Sequence, residues 1–190
     1  MYGLNVQFNH PAYRNRDLAE SITDVLDHNL MLAMATVQNG EAYINSAHFA
    51  YNDRLELLIF THPYSEHGKN LALNPSVAAA IWKPSENWDM NLQGLQLFGT
   101  GTLAEGEALD DAIRIYGRRF PSFQHLIQSA EDFERDITDL RLYRIQVERV
   151  KLIDEGRFGH RNWISAPVIH PQPQPERLIK RMPQTLVPMI

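Results

Sequence analysis

Residues 30–75 contain three apolar segments separated by short turn signals, and this succession constrains the fold more than any other part of the chain. Residues 30–38 are almost wholly apolar, which is typical of a strand buried on both faces. Asn39-Gly40 follows and most easily supplies the two positive φ angles of a type I′ turn. Residues 41–51 alternate in part between two faces, and residues 55–61 are again apolar. We therefore predict a β-hairpin followed by a third strand.

A polar loop and a short helix are predicted after the third strand. Ser65 is a candidate N-cap, since its hydroxyl can accept a hydrogen bond from an N–H group of the first helical turn. Asn74-Pro75 would end the helix. The first N–H groups of a helix lack partners within it, so they can hold an anion such as a phosphate. Ser65 could serve either role, because a capping serine needs no ligand.

The segment before this region predicts a helix that covers one side of a sheet. Residues 17–29 place apolar side chains at helical spacing, with Asp17 as a candidate cap. These side chains are Leu18, Ile22, Val25 and Leu26. Residues 1–16 are polar and irregular, and we expect them to form an arm.

Two further strands are predicted after the short helix. Residues 76–83 lie between two prolines and are too short for a typical helix. A loop over residues 84–90 leads to residues 91–103, which alternate between two faces. Gly99 and Gly101 indicate a bend or bulge there, as a long, curved strand requires. Strong curvature is what a closing barrel needs.

The rest of the chain predicts two helices and a long strand. The helices cover residues 109–120, stopped by Pro121, and residues 123–133. Residues 140–153 alternate, and their polar and apolar sides exchange near Arg144, so this strand should bend or change partners. Residues 158–165 form either a last short strand or a loop. Periodicity alone thus predicts a small antiparallel β-barrel or sandwich of the α+β kind.

The composition of the 190-residue chain is that of one globular domain with a sizeable core. The formal net charge is −5 with no long basic run, which argues against a nucleic-acid partner. The lack of cysteine excludes thiolate chemistry and fits the cytoplasm. No apolar run approaches the roughly 20 residues of a membrane span, so no membrane partner is expected. The histidines show no metal-ligand spacing, and nucleophile-elbow and P-loop motifs are missing.

The proline content divides the chain in two. Residues 1–165 are predicted to form the folded domain, with its arm and first helix. Residues 166–190 hold six of the eleven prolines and are predicted to form an extended tail, with one helical turn near residues 176–181.

Two stretches, 61–75 (THPYSEHGKNLALNP) and 94–103 (GLQLFGTGTL), resemble the pyridoxamine 5′-phosphate oxidase-like, FMN-binding split-barrel superfamily. These proteins commonly have a strand ending in Thr, a loop with Ser, a helix ending in Asn-Pro, and a later strand with a glycine. Here the matching residues are Thr61, Ser65, Gly68, Leu71, Asn74, Pro75 and Gly99. Residues 34–40 match the opening strand and turn of the family. The helix end at residues 118–121 and the closing segment 158–163 look most like a small, poorly characterised branch of the superfamily, and the resemblance covers about residues 17–165.

The resemblance implies an α+β, mainly β fold: a six-stranded antiparallel split β-barrel with short peripheral helices. It also implies a homodimer whose two FMN sites lie at the subunit interface. The segment after Thr61 would hold the flavin phosphate, residues 41–51 would run along the isoalloxazine ring, and residues 94–99 would close the other side. The cofactor-binding residues expected on this basis are Asn45, Ser46, His48, Phe60, Thr61, Ser65, His67, Lys69 and Gln96.

Three departures qualify the function that the resemblance implies. Glu66 and His67 stand where oxidases of the family usually have a basic pair, and a carboxylate repels a phosphate. No equivalent of the oxidases' strand-two arginine is evident, and their substrate-binding signature is missing from the tail. The vitamin B6 reaction is therefore not expected.

Two classes of function remain open for a small-molecule ligand. The first is an FMN-dependent oxidoreductase, in which the cofactor carries the electrons and no side chain is an obligatory acid or base. The second is a non-catalytic flavin- or haem-binding protein on the same dimeric scaffold. A third, weaker hypothesis is that Glu66 has abolished flavin binding.

Overall fold

The structure is a computed structural model that describes residues 3–83, 91–135 and 137–171. The predicted loop 84–90 and most of the predicted tail, including its helical turn, lie outside the described residues. The strands are β1 (Gln7–Phe8), β2 (Met31–Gln38), β3 (Glu41–Tyr51), β4 (Glu56–Thr61), β5 (Ser76–Trp82), β6 (Gln93–Leu103), β7 (Arg141–Asp154) and β8 (Trp163–Ile169). The helices are α1 (Asn15–Asp27), α2 (Glu66–Leu73), α3 (Glu107–Arg119), α4 (Pro121–Leu126), α5 (Glu131–Glu134) and α6 (Glu155–Phe158).

Six antiparallel strands close into a barrel, which confirms the predicted fold class. Their order is β7-β4-β3-β2-β5-β6, and β6 pairs back with β7 to complete the circuit. β8 extends the sheet from the second half of β7, and β1 pairs with β8. The expectation of an irregular arm over residues 1–16 was wrong at β1, because Val6 and Phe8 bury their side chains against the barrel.

The hairpin follows the turn chemistry of its sequence. Asn39 and Gly40 have φ angles of 52° and 82°, as a type I′ turn requires. The register that follows from this turn places Leu32, Met34 and Thr36 inside the barrel, where all three are buried. Their neighbours in β2 therefore face outward, because side chains alternate along a strand.

Two apolar cores stabilise the fold. The larger core fills the barrel and receives Leu18, Ile22, Val25 and Leu26 of α1, as their helical spacing predicted. The second core lies outside the barrel wall, where α3, α4 and α5 pack on Leu58, Phe60 and Leu142. This second core leaves the outer surface of β2, β5 and β6 uncovered by these helices.

Two sequence predictions about helices were wrong. The single helix expected over residues 123–133 is divided into α4 and α5, because Ile127 is extended and the Asp132 carboxylate accepts hydrogen bonds from the N–H groups of Gln128 and Ser129. Asp17 is not the cap of α1. Arg14 holds that position, and Asp17 lies in the first turn, where it forms an ion pair with Arg14.

The long strand β7 changes partners, as predicted, but the exchange of its faces lies further along. β7 pairs with β4 through residues 141–146 and with β8 through residues 149–153. The register with β6 shifts between Phe98 and Gly99, and Glu148 is left without a partner residue. Before this bulge the odd-numbered side chains of β7 face inward, and after it the even-numbered ones do. The exchange therefore occurs at Glu148 rather than at Arg144.

The C-terminal strand extends beyond the predicted domain boundary. β8 starts at Trp163 and continues to Ile169, so residues 166–169 belong to the sheet rather than to a tail. Its burial alternates, with Ile164, Ala166 and Val168 facing inward, and Pro167, which has no N–H to donate, accepts a hydrogen bond from the Asn9 N–H at its carbonyl oxygen. No described helix is long and apolar enough to cross a bilayer.

Candidate functional site

A cluster of three polar side chains forms where β4 runs into α2. The Thr61 Oγ1 and Ser65 Oγ atoms lie 2.6 and 3.0 Å from His67 Nε2. Ser65 is the N-cap of α2, as predicted, and its Oγ accepts a hydrogen bond from the Gly68 N–H at 3.2 Å. Three of the predicted cofactor-binding residues therefore meet at one helix start.

The hydrogen bonds of Ser65 determine the proton arrangement of this cluster. Ser65 Oγ also lies 2.6 Å from the carbonyl oxygen of His62, so its single proton is donated there. It has no proton for His67, and we therefore assign a proton to Nε2, which donates to the two hydroxyl oxygens. Burial lowers the pKa of His67, so the imidazole is neutral at neutral pH.

Glu66 and Lys69 form an exposed ion pair beside the cluster. Their charged atoms lie 3.3 Å apart, and both side chains are at least half exposed. Lys69, a predicted cofactor-binding residue, thus directs its ammonium group to Glu66 rather than to the hydroxyl cluster. The pair has no net charge, so the ammonium group of Lys69 offsets the negative charge that Glu66 places next to the helix start.

Helix α2 packs across one end of the barrel. Gly68 lies against the carbonyl oxygens of His62 and Pro63, where a Cβ atom would approach within 2.8 Å of both. Asn70 is fully buried and donates a hydrogen bond to Thr36 Oγ1 at 3.0 Å. This close packing holds the first turn of α2 at a constant position relative to β4.

Asn45, another predicted site residue, faces the barrel interior opposite Met34. Its Oδ1 atom and that of Asn70 are buried, and neither has a hydrogen-bond partner among the described residues. Unpaired buried acceptors are unfavourable, so each is expected to receive a donor from water or from a ligand.

Ser46 and Gln96 lie on the outer face of the sheet, away from this interior. Strand register aligns them in one cross-strand row, and a second row runs beside it. The first row is Ser46, Ala33, Ala80, Gln96, Lys151 and Ser165; the second is Ile44, Ala35, Ala78, Phe98, Arg149 and Pro167. We call these two rows the outer face. Its alanines form the floor of a shallow pocket of about 220 Å³, flanked by Ile44 and Phe98.

Two cations at one side of the outer face were not predicted as site residues. The Arg149 guanidinium lies 3.8 Å from the Phe98 ring centroid, and the Lys151 ammonium lies 4.8 Å from that of Trp163. Trp163 also contacts Trp82 edge to face. Their charges were visible in the sequence, but the bulge at Glu148 decides which face they occupy.

The last two predicted residues pack against helices. His48 lies on the outer side of β3, where its ring contacts Phe120 with centroids 5.6 Å apart. Phe60 contacts Phe123 edge to face within the second core. The nine predicted residues are therefore distributed among the cluster at α2, the barrel interior, the outer face and the second core. Among the described residues, no group of three His, Asp or Glu side chains could hold a metal ion.

The closed six-stranded antiparallel barrel, with a helix across one end, defines a split-barrel protein of the pyridoxamine 5′-phosphate oxidase-like class. The family model described as pyridoxamine 5′-phosphate oxidase matches residues 18–154, and the chain belongs to this family. The UPF0306 protein PM1958 of Pasteurella multocida (strain Pm70) is 22% identical over 151 residues, which are 78% of this chain and 93% of that protein.

Solved structures with the same fold include proteins described as binding haem or a flavin. A heme-binding protein from Mycobacterium smegmatis has a TM-score of 0.63 at 20% identity over 82% of this chain and 60% of that one. The heme storage protein HutZ from Vibrio cholerae has a TM-score of 0.57 at 22% identity, over 72% and 94%. A FAD-binding protein from Mesorhizobium loti has a TM-score of 0.53 at 16% identity, over 77% and 96%. At these identities the likeness shows the fold alone.

Proposed function

We propose that this protein is an FMN-binding oxidoreductase of the split-barrel class, acting on a small molecule. The observation that carries this proposal is the convergence of Thr61, Ser65 and His67 at the start of α2. The Thr61 hydroxyl, whose proton is available, and the N–H groups of the helix start are suited to a phosphate monoester. Family membership supports a flavin phosphate as that ligand.

The cluster offers a hydrogen-bond donor to a phosphate and places no net negative charge beside it. With Nε2 donating to both hydroxyl oxygens, the Thr61 proton remains available to a ligand. The Glu66–Lys69 pair contributes no net charge. FMN would supply the transfer of a hydride or an electron pair, while the chain positions the cofactor and adjusts its electrostatic environment.

We further propose a homodimer in which a second copy covers the outer face. This face and its margins expose large apolar side chains that the described residues leave uncovered: Met31, Val37, Ile44, Trp82 and Trp163. Contiguous exposed apolar surface of this kind is typical of a protein interface. The ligand sites would then lie between the subunits. The lack of cysteine fits a reducing compartment, and we place the protein in the cytoplasm.

A non-catalytic haem-binding protein is the second candidate function. Its support is the outer face, where an alanine floor is bordered by Arg149 and Lys151. A flat apolar floor beside two cations is suited to a planar ligand that carries carboxylates. Two of the structurally similar proteins are described as binding or storing haem.

The two candidates are separated by ligand retention. The purified chain is mixed with excess FMN or haem and passed through gel filtration with light-scattering detection. We expect flavin absorbance to elute with a dimer, and the bound flavin to be reduced and then reoxidised by a defined acceptor. Retention of haem without retention of flavin would support the second candidate function. If flavin is bound but is not reduced and reoxidised, the protein is a flavin-binding protein rather than an oxidoreductase. Retention of neither ligand would overturn both.

A further inference from the structure

His67 is the member of the α2 cluster whose charge can change near neutral pH. Its Nε2 atom contacts both Thr61 Oγ1 and Ser65 Oγ, so the ring is held next to the Thr61 hydroxyl and the helix start that are expected to bind a phosphate. With the proton assigned to Nε2, protonation adds a second N–H group at Nδ1. The ring would then carry a positive charge within the cluster.

The charged neighbours of the cluster do not supply a net positive charge. On α2, Glu66 and Lys69 pair with each other. On β3, the Tyr43 hydroxyl donates to the Glu41 carboxylate. The adjoining strands β2 and β6 contain no titratable residue. Other titratable or charged groups on the elements that join or face the cluster include His62 and Tyr64 in the loop, Glu56 on β4, and Arg141 opposite Thr61 on β7. Further along, β3 carries His48 and Tyr51, and β7 carries Tyr143, Arg144, Glu148, Arg149, Lys151 and Asp154.

Arg141 contacts the segment that precedes its strand. Its guanidinium donates to the carbonyl oxygens of Thr138 and Leu140 and lies over the Phe133 ring. His62 Nδ1 accepts a hydrogen bond from the Tyr64 N–H, which requires Nδ1 of that ring to be unprotonated. Glu56 pairs with Arg54 and Arg144. A dianion at the start of α2 therefore finds its balancing charge most directly at His67.

We propose that a phosphate monoester binds this cluster together with one proton, which His67 takes up at Nδ1. This inference rests on the proposed phosphate site and specifies how that site compensates the ligand's charge. Without ligand, burial favours the neutral imidazole, and a dianion beside it favours the imidazolium. A permanent cation at this position would bind the same anion without proton uptake, so His67 makes affinity depend on pH.

The expected signature is a loss of FMN affinity as pH rises. Above pH 7 the phosphate of FMN is largely a dianion, because the second pKa of a phosphate monoester is about 6. Between the pKa of His67 in the free protein and its higher value in the complex, Kd should rise about tenfold for each pH unit. Riboflavin lacks the phosphate and should show no such slope.

The first test is calorimetric titration of the full chain with FMN at pH 7.5, in two buffers of different ionisation enthalpy. The wild type should take up protons on binding, up to one per site as the pKa of His67 in the complex rises above 7.5, and His67→Gln should take up none. His67→Lys should bind FMN with a Kd that does not vary between pH 7 and 8. His62→Gln is the matched control and should retain the proton uptake. FMN binding with no proton uptake would overturn this inference while leaving the flavin proposal intact.

The second test does not depend on flavin. The pKa of His67 in the wild type is measured by NMR with and without saturating inorganic phosphate, and His62 serves as the internal reference. We expect phosphate to raise the pKa of His67 by at least one unit and to change the ring resonances of His62 much less. An unchanged pKa of His67 overturns the inference. If phosphate raises the pKa but FMN never binds, the inference holds and the flavin proposal fails.

Discussion

Gly99 lies directly against the carbonyl oxygen of Gln146, at the register shift between β6 and β7. A Cβ atom at residue 99 would overlap that oxygen, so a side chain fits only if one of two barrel strands moves. The same shift leaves Glu148 unpaired and turns Arg149 and Lys151 to the outer face. One glycine thus permits both the closure of the barrel and the placement of two cations.

Gly99→Ala should therefore destabilise the fold by about 3 kcal/mol, as expected when backbone must shift to relieve overlap. Urea unfolding followed by circular dichroism measures this change. Gly156→Ala is the control, since a Cβ atom there would have only an ordinary 3.6 Å contact with Asp154. Equal stability of the two variants would contradict the close approach at Gly99.

Arg119, at the end of α3, connects that helix to the end of α1 and to β3. Its guanidinium donates to the carbonyl oxygens of Leu26 and Asn29 and lies 4.9 Å from the Phe49 ring centroid. Arg119→Ala should lower the free energy of unfolding by about 3 kcal/mol, because hydrogen bonds from a charged donor and its packing are lost together.

Arg114, in the same helix, provides the comparison for Arg119. It forms an exposed ion pair with Asp111. Arg114→Ala should change the free energy of unfolding by less than about 1 kcal/mol, as is usual for surface pairs. A similar loss for both variants in the same urea titration would refute the anchoring role of Arg119.

The outer face should decide the oligomeric state. Ile44 is 78% exposed on this face, whereas Leu73 is 73% exposed at the end of α2. If a second copy covers the outer face, Ile44→Lys buries an unpaired charge and should shift the protein to monomer. Leu73→Lys should remain dimeric. Light scattering after gel filtration distinguishes the two, and a dimeric Ile44→Lys variant would place the interface elsewhere.

The half-buried neutral imidazole of His67 should make stability depend on pH. Its pKa is lowered in the folded protein, so the unfolded chain binds a proton at higher pH than the folded chain does. Stability should therefore fall as pH drops from about 6.5 towards the folded-state pKa. In His67→Gln this loss should be smaller, as measured by thermal unfolding between pH 5 and pH 7.5. An identical pH profile would show that His67 is not held neutral.

Thr61 should contribute to phosphate binding through its hydroxyl. Thr61→Val keeps the shape of the side chain but removes one donor, which should weaken FMN binding about tenfold, or about 1.4 kcal/mol. Riboflavin affinity should not change. Thr102→Val, on the exposed end of β6, is the matched control. Equal weakening for FMN and riboflavin would show that Thr61 does not act at the phosphate.

Much of the local structure could be predicted because its causes are local. Asn39-Gly40 specifies the hairpin turn, Ser65 caps α2, and the spacing from Leu18 to Leu26 specifies the buried side of α1. The division of residues 123–133 into two helices was missed, since it depends on where the Asp132 side chain finds its donors.

The candidate site could be predicted only in part. Thr61, Ser65 and His67 are close in sequence. The strand–loop–helix pattern alone predicted Ser65 as a helix cap, and the resemblance to the family implied all three as site residues. Asn70 and Arg149 were missed, because their surroundings come from distant segments: Thr36 for the first and Phe98 for the second. The residue pattern within one segment carries no information about contacts between segments that are far apart in sequence.

The sequence by itself determined the six barrel strands, the turn of the hairpin and the helix start at Ser65, because these depend on neighbouring residues and on apolar periodicity. Only the tertiary structure decided which faces those strands present. The row from Ser46 to Gln96 and Lys151 exists because four strand registers agree across the sheet. The bulge at Glu148 then exchanges the inward-facing and outward-facing side chains of β7. Such an exchange depends on how the barrel closes, which no single segment of the sequence specifies.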